Sequence, residues 1–327
     1  LAGSLLRILA LVVGLLPWRA LAVFGRVVGW LAGSVLRIRR AHVQGAMSAA
    51  GVEAPSREAG AMYDALGRSA LEFLWIARRG RELALHVAID PASAARWRAA
   101  LEGGRGVVIG ASHTGNWDLA ACAIAREVEL LVVTKHLRAL SVDRFWQSTR
   151  AGQGVTLTGA QGAMARAREV LRRGGAVAMM IDQAPSSRRH AVDIEFLGQP
   201  ALAERAPAAL AAAARCPLVV AAARRSASGQ HVLHVLEVIE PRGPEPSRAW
   251  IAQATVSAAR SLDTFVRAHP SQWLWLHRRW KQPAAGAGQV VAAERSAGVD
   301  PAAREATLVP PWSKIRSSSP DEASKAG

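Results

Sequence analysis

His113 and Asp118 are the two residues whose types and spacing best suit proton transfer. An imidazole takes up a proton near neutral pH, and a nearby carboxylate can fix its tautomer and stabilise the imidazolium. Thr114, Gly115, Asn116 and Trp117 fill the interval between them. Upstream, the apolar run Val107, Val108, Ile109, Gly110, Ala111 reads as a buried strand. Downstream, Leu119 to Ala125 reads as the start of a helix, with Asn116 and Asp118 suited to its first turn. Such a strand-to-helix corner is where open α/β sheets expose reactive side chains. The expectation is a general base, His113, with Asp118 accepting a hydrogen bond from its other ring nitrogen. The spacing alone is a common accident; the filled interval directly after a strand is what raises it.

Further blocks follow in order. A second strand ends on Met179 to Gln183 and brings Asp182 and Gln183 to its C-terminal end. Phe196, Leu197, Gly198, Gln199, Pro200 and Ala201 form an aromatic-glycine-proline segment. Trp273, Leu274, Trp275, Leu276, His277, Arg278, Arg279, Trp280 and Lys281 form an aromatic-basic block. The His113–Asp118 stretch resembles the acid-histidine motif of the lysophospholipid acyltransferase superfamily. With the other three blocks it resembles, more narrowly, the bacterial lipid A late acyltransferases. Leu197 stands where a second Phe is usual in that family, and Trp280 where Phe is usual. The resemblance runs from the N-terminal apolar segment to about Pro283.

That resemblance implies a glycerolipid acyltransferase-like fold and transfer of a fatty acyl chain from a thioester to a hydroxyl of a lipid A precursor or related glycolipid. The donor would be an acyl carrier protein or coenzyme A thioester, a co-substrate rather than a cofactor. His113 would take the hydroxyl proton, so no serine nucleophile is needed, and no Gly-x-Ser-x-Gly elbow is present. Thr114, Gly115 and Asn116 are candidates to shape an oxyanion site through backbone and amide donors, and Trp117 belongs to the same block. Arg150 lies where the family's substrate-contacting arginine is expected, and a guanidinium suits phosphate. Lys135, Arg138 and Arg144, close by in sequence, read as surface charge. Asp182 and Gln183 are expected near the acceptor or Arg150. Phe196 and Gly198 are expected to shape a loop over the site. Arg278 and Arg279 could meet lipid phosphates, while Trp273, Trp275 and Trp280 also suit plain core packing. The implied location is a bacterial inner membrane, with the site on the cytoplasmic side.

The elements needed to position these residues are legible as strands alternating with helices, which argues an α/β fold with a mixed, mainly parallel sheet flanked by helices. Helices are expected over 55–79, 91–102, 161–173 and 202–215, with a late one marked by Ile251, Thr255, Ala258, Leu262 and Phe265. Strands are expected over 107–111, 130–134, 218–223 and 231–239, besides the one ending at Asp182.

Half of the 327 residues are hydrophobic, enough for a sizeable core. The net charge of +16 favours anionic partners such as membrane lipids, acidic carrier proteins or phosphorylated substrates. Nucleic acid is not expected, because the basic residues are dispersed among apolar strands and no recognition-helix or zinc-finger pattern occurs. Cys122 and Cys216 are isolated and give neither a disulfide framework nor a metal spacing. No metal and no further cofactor are expected, and the protein is expected to be a monomer.

Residues 1–45 are expected to form a membrane-associated helical anchor, 46–283 an α/β acyltransferase domain, and 284–327 a disordered tail rich in Ala, Gly, Ser and Pro. Pro17 splits the apolar N-terminal segment, and Arg7, Arg19, Arg26 and Arg37 interrupt it. It lacks a clear cleavage site after Pro17, so it is not read as a signal peptide. It suits helices lying in one leaflet with Trp18 and Trp30 at the interface, and a tilted spanning helix is the close alternative. The chain begins at Leu1 rather than Met, which leaves room for residues upstream. Two other functions compete: acylation of another lipid, such as a phosphatidylinositol mannoside, and a non-catalytic basic membrane- or nucleic-acid-binding module.

Overall fold

The computed structural model describes residues 2–159, 161–241 and 247–281. The expected tail, 284–327, lies outside them. The chain opens with α1 (Ala2–Leu15) and α2 (Trp18–Trp30), broken at Pro17, and α2 runs on through a wider π turn, Leu31–Val35. Two left-handed residues, Arg37 and Arg39, then turn the chain into α3 (Arg40–Ala49). Next comes α4 (Pro55–Arg79), with Pro55 in its first turn, Glu58 near its N-terminus, and Arg78 and Arg79 at its C-terminus. That charge order complements the helix dipole.

The rest alternates as expected: β1 (Val87–Ile89), α5 (Pro91–Glu102), β2 (Val107–Ala111), α6 (Trp117–Ile124), β3 (Leu130–Val133), α7 (Leu140–Gly152), β4 (Val155–Thr158), α8 (Ala163–Arg172) and β5 (Ala176–Met180). It continues through β6 (Ala191–Phe196), β7 (Gln199–Glu204), α9 (Ala206–Ala214), β8 (Leu218–Arg225), β9 (His231–Ile239) and α10 (Arg248–Ala268). Seven strands form one sheet in the order β1-β9-β8-β2-β5-β3-β4, in which only the β8–β9 pair is antiparallel. The expected helix over 202–215 is shorter: residues 202–204 belong to β7, and the helix starts at Ala206 with Pro207 in its first turn. Proline, lacking an N–H, fits there and not one turn further in.

β2 and β5 are central and adjacent, in the register Ala111 to Met180. Both are buried on each face, which is why they read as unbroken apolar runs. Two core clusters follow, one centred on Val108, Leu131, Val177 and Trp273, the other on Phe73, Trp75, Ile109 and Val219. Each fully buried large side chain contributes roughly 1.5–3 kcal/mol relative to exposure.

No single helix among the described residues is long and apolar enough to cross a membrane. Pro17 and the Arg37–Arg39 turn cut the apolar segment into shorter helices. The stretch Trp18–Val35 with Arg40–Ala49 passes that length test only as a pair bent by 88°. The N-terminal helices belong to the same compact unit as the sheet. α2 packs on α4 through glycine: a Cβ on Gly25 would strike the backbone of Arg68, and one on Gly29 the backbone of Tyr63. Leu21 is buried, but most of its other large side chains point the other way. Val23, Phe24, Val27, Val28 and Trp30 are exposed, as are Leu5, Ile8, Leu11, Val12 and Leu15 on α1.

Candidate active site

His113 leaves the C-terminal end of β2, and Asp182 leaves the C-terminal end of β5. The register that sets Ala111 beside Met180 brings these residues, two further along each strand, together. Asp182 Oδ1 accepts from His113 Nδ1 at 2.9 Å, and Oδ2 accepts the His113 backbone N–H at 2.7 Å. Trp273 Nε1 donates to the same Oδ2 at 3.0 Å. Asp182 is fully buried. Burial alone would favour its neutral form, but the charge and hydrogen bonds of His113 outweigh that and hold its carboxyl well below the usual range. An ionised Asp182 keeps the proton on Nδ1 and leaves the Nε2 lone pair free. Nε2 has no hydrogen-bond partner among the described residues, and the His113 side chain is 14% exposed.

Asp118, expected to be the ring's partner, faces elsewhere. Its Oδ1 accepts from Arg150 Nε at 2.7 Å, and its Oδ2 from Trp146 Nε1 at 3.0 Å. No hydrogen bond or ion pair joins it to His113 among the described residues. The reason is local geometry. Asn116 caps α6 by accepting the Leu119 N–H, so Asp118 already lies in the first helical turn and is directed towards α7. Arg150 is thus brought to the motif through Asp118, and not through Asp182 as the sequence allowed. Its side chain keeps 15% exposure.

Three of the expected oxyanion donors, the Thr114 hydroxyl, the Gly115 N–H and the Asn116 side-chain amide, are engaged. The Thr114 hydroxyl is buried between Ser112 Oγ and the Ala223 N–H, and Gly115 N–H donates to the Gln272 carbonyl at 2.7 Å. Gly115 has φ +56°, and a Cβ there would strike the Ala223 backbone, so only glycine lets the loop pass β8. The Asn116 amide donates to Glu72 Oε2 at 3.0 Å and to the Ser69 carbonyl.

Trp117 meets His113 edge-on, with ring centroids 5.0 Å apart. It also lines a cavity of about 120 Å³ between α6 and the sheet. Ala120, Ala121 and Ile124 of α6 form one wall; Ile109, Ala111, Ala178, Met180 and Ala221 form the other. Small side chains on both surfaces leave this space, and most of its lining is apolar.

The remaining expected residues divide. Gln183 Nε2 lies 3.4 Å from His277 Nε2, at the edge of the site. Arg278 is exposed. Arg279, expected at lipid phosphates, is 1% exposed; it donates to the Leu202 carbonyl at 2.5 Å and lies over the Phe196 ring. Burial lowers its pKa to about 10. Phe196 is buried too, edge-on against Trp273, and Gly198 closes the two-residue turn of the β6–β7 hairpin. The expected loop over the site is therefore a hairpin that buttresses Trp273 from behind. Cys122 is buried, and its thiol is pushed up to about 12 by burial and then by Asp118, which makes it a poor nucleophile.

Sequence reasoning missed a second buried ionic centre. Glu72 on α4 accepts from Arg225, from His231 Nε2 at 2.9 Å and from Asn116. Burial works against its charge, but His231 and Arg225 overcome that and hold it at about 2. No local signal marked it, since Glu72 lies more than 150 residues from both Arg225 and His231 in sequence.

The model of one family, bacterial lipid A biosynthesis acyltransferase, matches residues 2–282. The chain belongs to this family. The match covers both the N-terminal helices and the whole sheet of this lipid A biosynthesis acyltransferase family member. Comparison with curated proteins gives no match.

Proposed function

We propose that this family member transfers a fatty acyl chain from an acyl carrier protein or coenzyme A thioester to a hydroxyl of a lipid A precursor. One observation carries the reading: His113, its Nδ1 tied to the buried Asp182 and its Nε2 free, stands beside Trp117, which lines an apolar cavity. His113 is the general base. It takes the proton of the acceptor hydroxyl, whose oxygen attacks the thioester carbon, and returns it to the leaving thiolate. Asp182 orients the ring and stabilises the imidazolium, a role the sequence assigned to Asp118. Asp118 instead holds Arg150, whose guanidinium is suited to a phosphate of acceptor or donor. The acyl chain occupies the cavity under α6.

The protein acts as a monomer on the cytoplasmic side of the inner membrane. The exposed apolar surfaces of α1 and α2 support membrane association, since soluble monomers rarely expose contiguous apolar patches of this kind. Arg7, Arg19 and Arg26 on the same helices suit anionic headgroups. The helices lie in one leaflet and do not span it.

A mass-spectrometric assay tests this. Purified protein and its His113→Ala variant receive acyl carrier protein or coenzyme A thioesters with a lipid A precursor. One added acyl chain, absent with the variant, supports the reading. Acylation only of a phosphatidylinositol mannoside would reassign the acceptor, and no transfer to any lipid would overturn the reaction.

A further inference from the structure

Acyl transfer gathers negative charge on the donor's carbonyl oxygen, and the Thr114 hydroxyl, the Gly115 N–H and the Asn116 side-chain amide are engaged elsewhere. A second imidazole stands at the site instead. His277 lies edge-on to His113 at 65°, with ring centroids 4.7 Å apart. Its place is fixed by the chain around it. Leu274 N–H donates to the His113 carbonyl at 3.0 Å, and His42 Nε2 contacts the His277 carbonyl at 3.1 Å. With Gln183 Nε2 donating to His277 Nε2, the ring proton sits on Nδ1, which has no hydrogen-bond partner among the described residues. The ring is neutral at physiological pH. Burial, then the charges of His113 and Arg39, push its pKa down to about 4, and Asp182 offsets this only in part.

We propose that His277 is a further catalytic residue that donates from Nδ1 to the carbonyl oxygen of the acyl donor in the transition state. This rests on the acyl-transfer reading above. As the acceptor oxygen bonds to the acyl carbon, its proton passes to His113 Nε2 and the C=O π pair moves onto the carbonyl oxygen. His277 holds that oxygen. On collapse the C=O bond re-forms, the C–S bond breaks, and His113 returns the proton to the thiolate. His277 remains neutral throughout. A second imidazolium would oppose protonation of His113, whereas a neutral imidazole can polarise a carbonyl without that cost.

The test uses the full chain with His277→Leu and His277→Asn. The Leu variant should lose about 10²–10³-fold in kcat with little change in KM, as for loss of an oxyanion donor. The Asn variant, which retains an N–H donor, should recover at least about tenfold of that loss. Equal activity of the two variants, or a Leu variant within about threefold of the parent, would overturn the proposal. If the parent transfers no acyl chain, the acyl-transfer reading fails, and the assignment is judged by nitrogen-resolved NMR of the imidazoles. His277 must then be neutral and protonated on Nδ1 at pH 7; a proton on Nε2, or on both nitrogens, overturns it.

Discussion

Among the described residues, two carboxylate–histidine pairs share the same 2.9 Å separation, one between Asp182 and His113 and the other between Glu72 and His231. Their surroundings make them different devices. His231 is sealed at 1% side-chain exposure; its Nε2 is committed to Glu72, and its Nδ1 is buried without a partner. Arg225 neutralises Glu72 with a fixed cation. His113 is partly open, has Nε2 free, and faces a carboxylate to which no arginine or lysine is bonded among the described residues. A histidine–carboxylate pair becomes a base only where the second nitrogen is reachable and the carboxylate's charge is left for the imidazolium. Where a guanidinium takes that charge, the pair is a clamp: Glu72 ties α4 to β8, β9 and the Asn116 cap of α6.

Breaking each pair should separate the two roles. His113→Ala should lower kcat by at least about 10³-fold while leaving the melting temperature within a few degrees of the parent, as loss of a general base requires. Asp182→Asn should cost about 10²–10⁴-fold in kcat, because the ring loses its tautomer and its stabilising charge. Glu72→Ala should act on the fold. It strands Arg225 without a counter-charge, and urea denaturation should read a loss of about 3–5 kcal/mol. A Glu72→Ala protein as stable as its parent would contradict the clamp.

Acid should resolve the pairs further. Asp182 and Glu72 are both held below their unfolded values, so their stabilisation is present above about pH 4.5 and is lost as pH falls towards the folded values, about 2 for Glu72. His277 adds an earlier loss. Its folded value near 4 lies below the unfolded one, so stability falls as pH drops from about 6.5 towards 4. Urea midpoints measured against pH should show both stages, and Glu72→Gln should flatten the lower one. The smallest effect is expected from Asp118→Asn: Arg150 loses its ion pair, and KM should rise by about tenfold with a lesser change in kcat.

Much of this was legible in the sequence, because strand and helix periodicity reports burial directly. β2, α5, α6 and β9 follow from apolar runs, a leading proline and an Asn cap. The proposed base was legible as a candidate too, since His113 follows a buried strand. Its partner was not. Sequence proximity favoured Asp118, five residues on, while the parallel register of β2 and β5 delivers Asp182 from 69 residues away. Arg279 misled for a related reason: in a run of basic residues, nothing local says which side chain turns inwards under the Phe196 ring. Glu72, Arg225 and His231 stand alone in three separate elements and become a cluster only when α4 crosses the end of the sheet.

The most direct test of the account is proton NMR of the His113 ring in the parent, Asp118→Asn and Asp182→Asn proteins. A downfield Nδ1–H resonance, from a proton held against a carboxylate, should persist in Asp118→Asn and shift or vanish in Asp182→Asn. Loss of that resonance in Asp118→Asn, with Asp182→Asn unaltered, would contradict the pairing on which the mechanism stands.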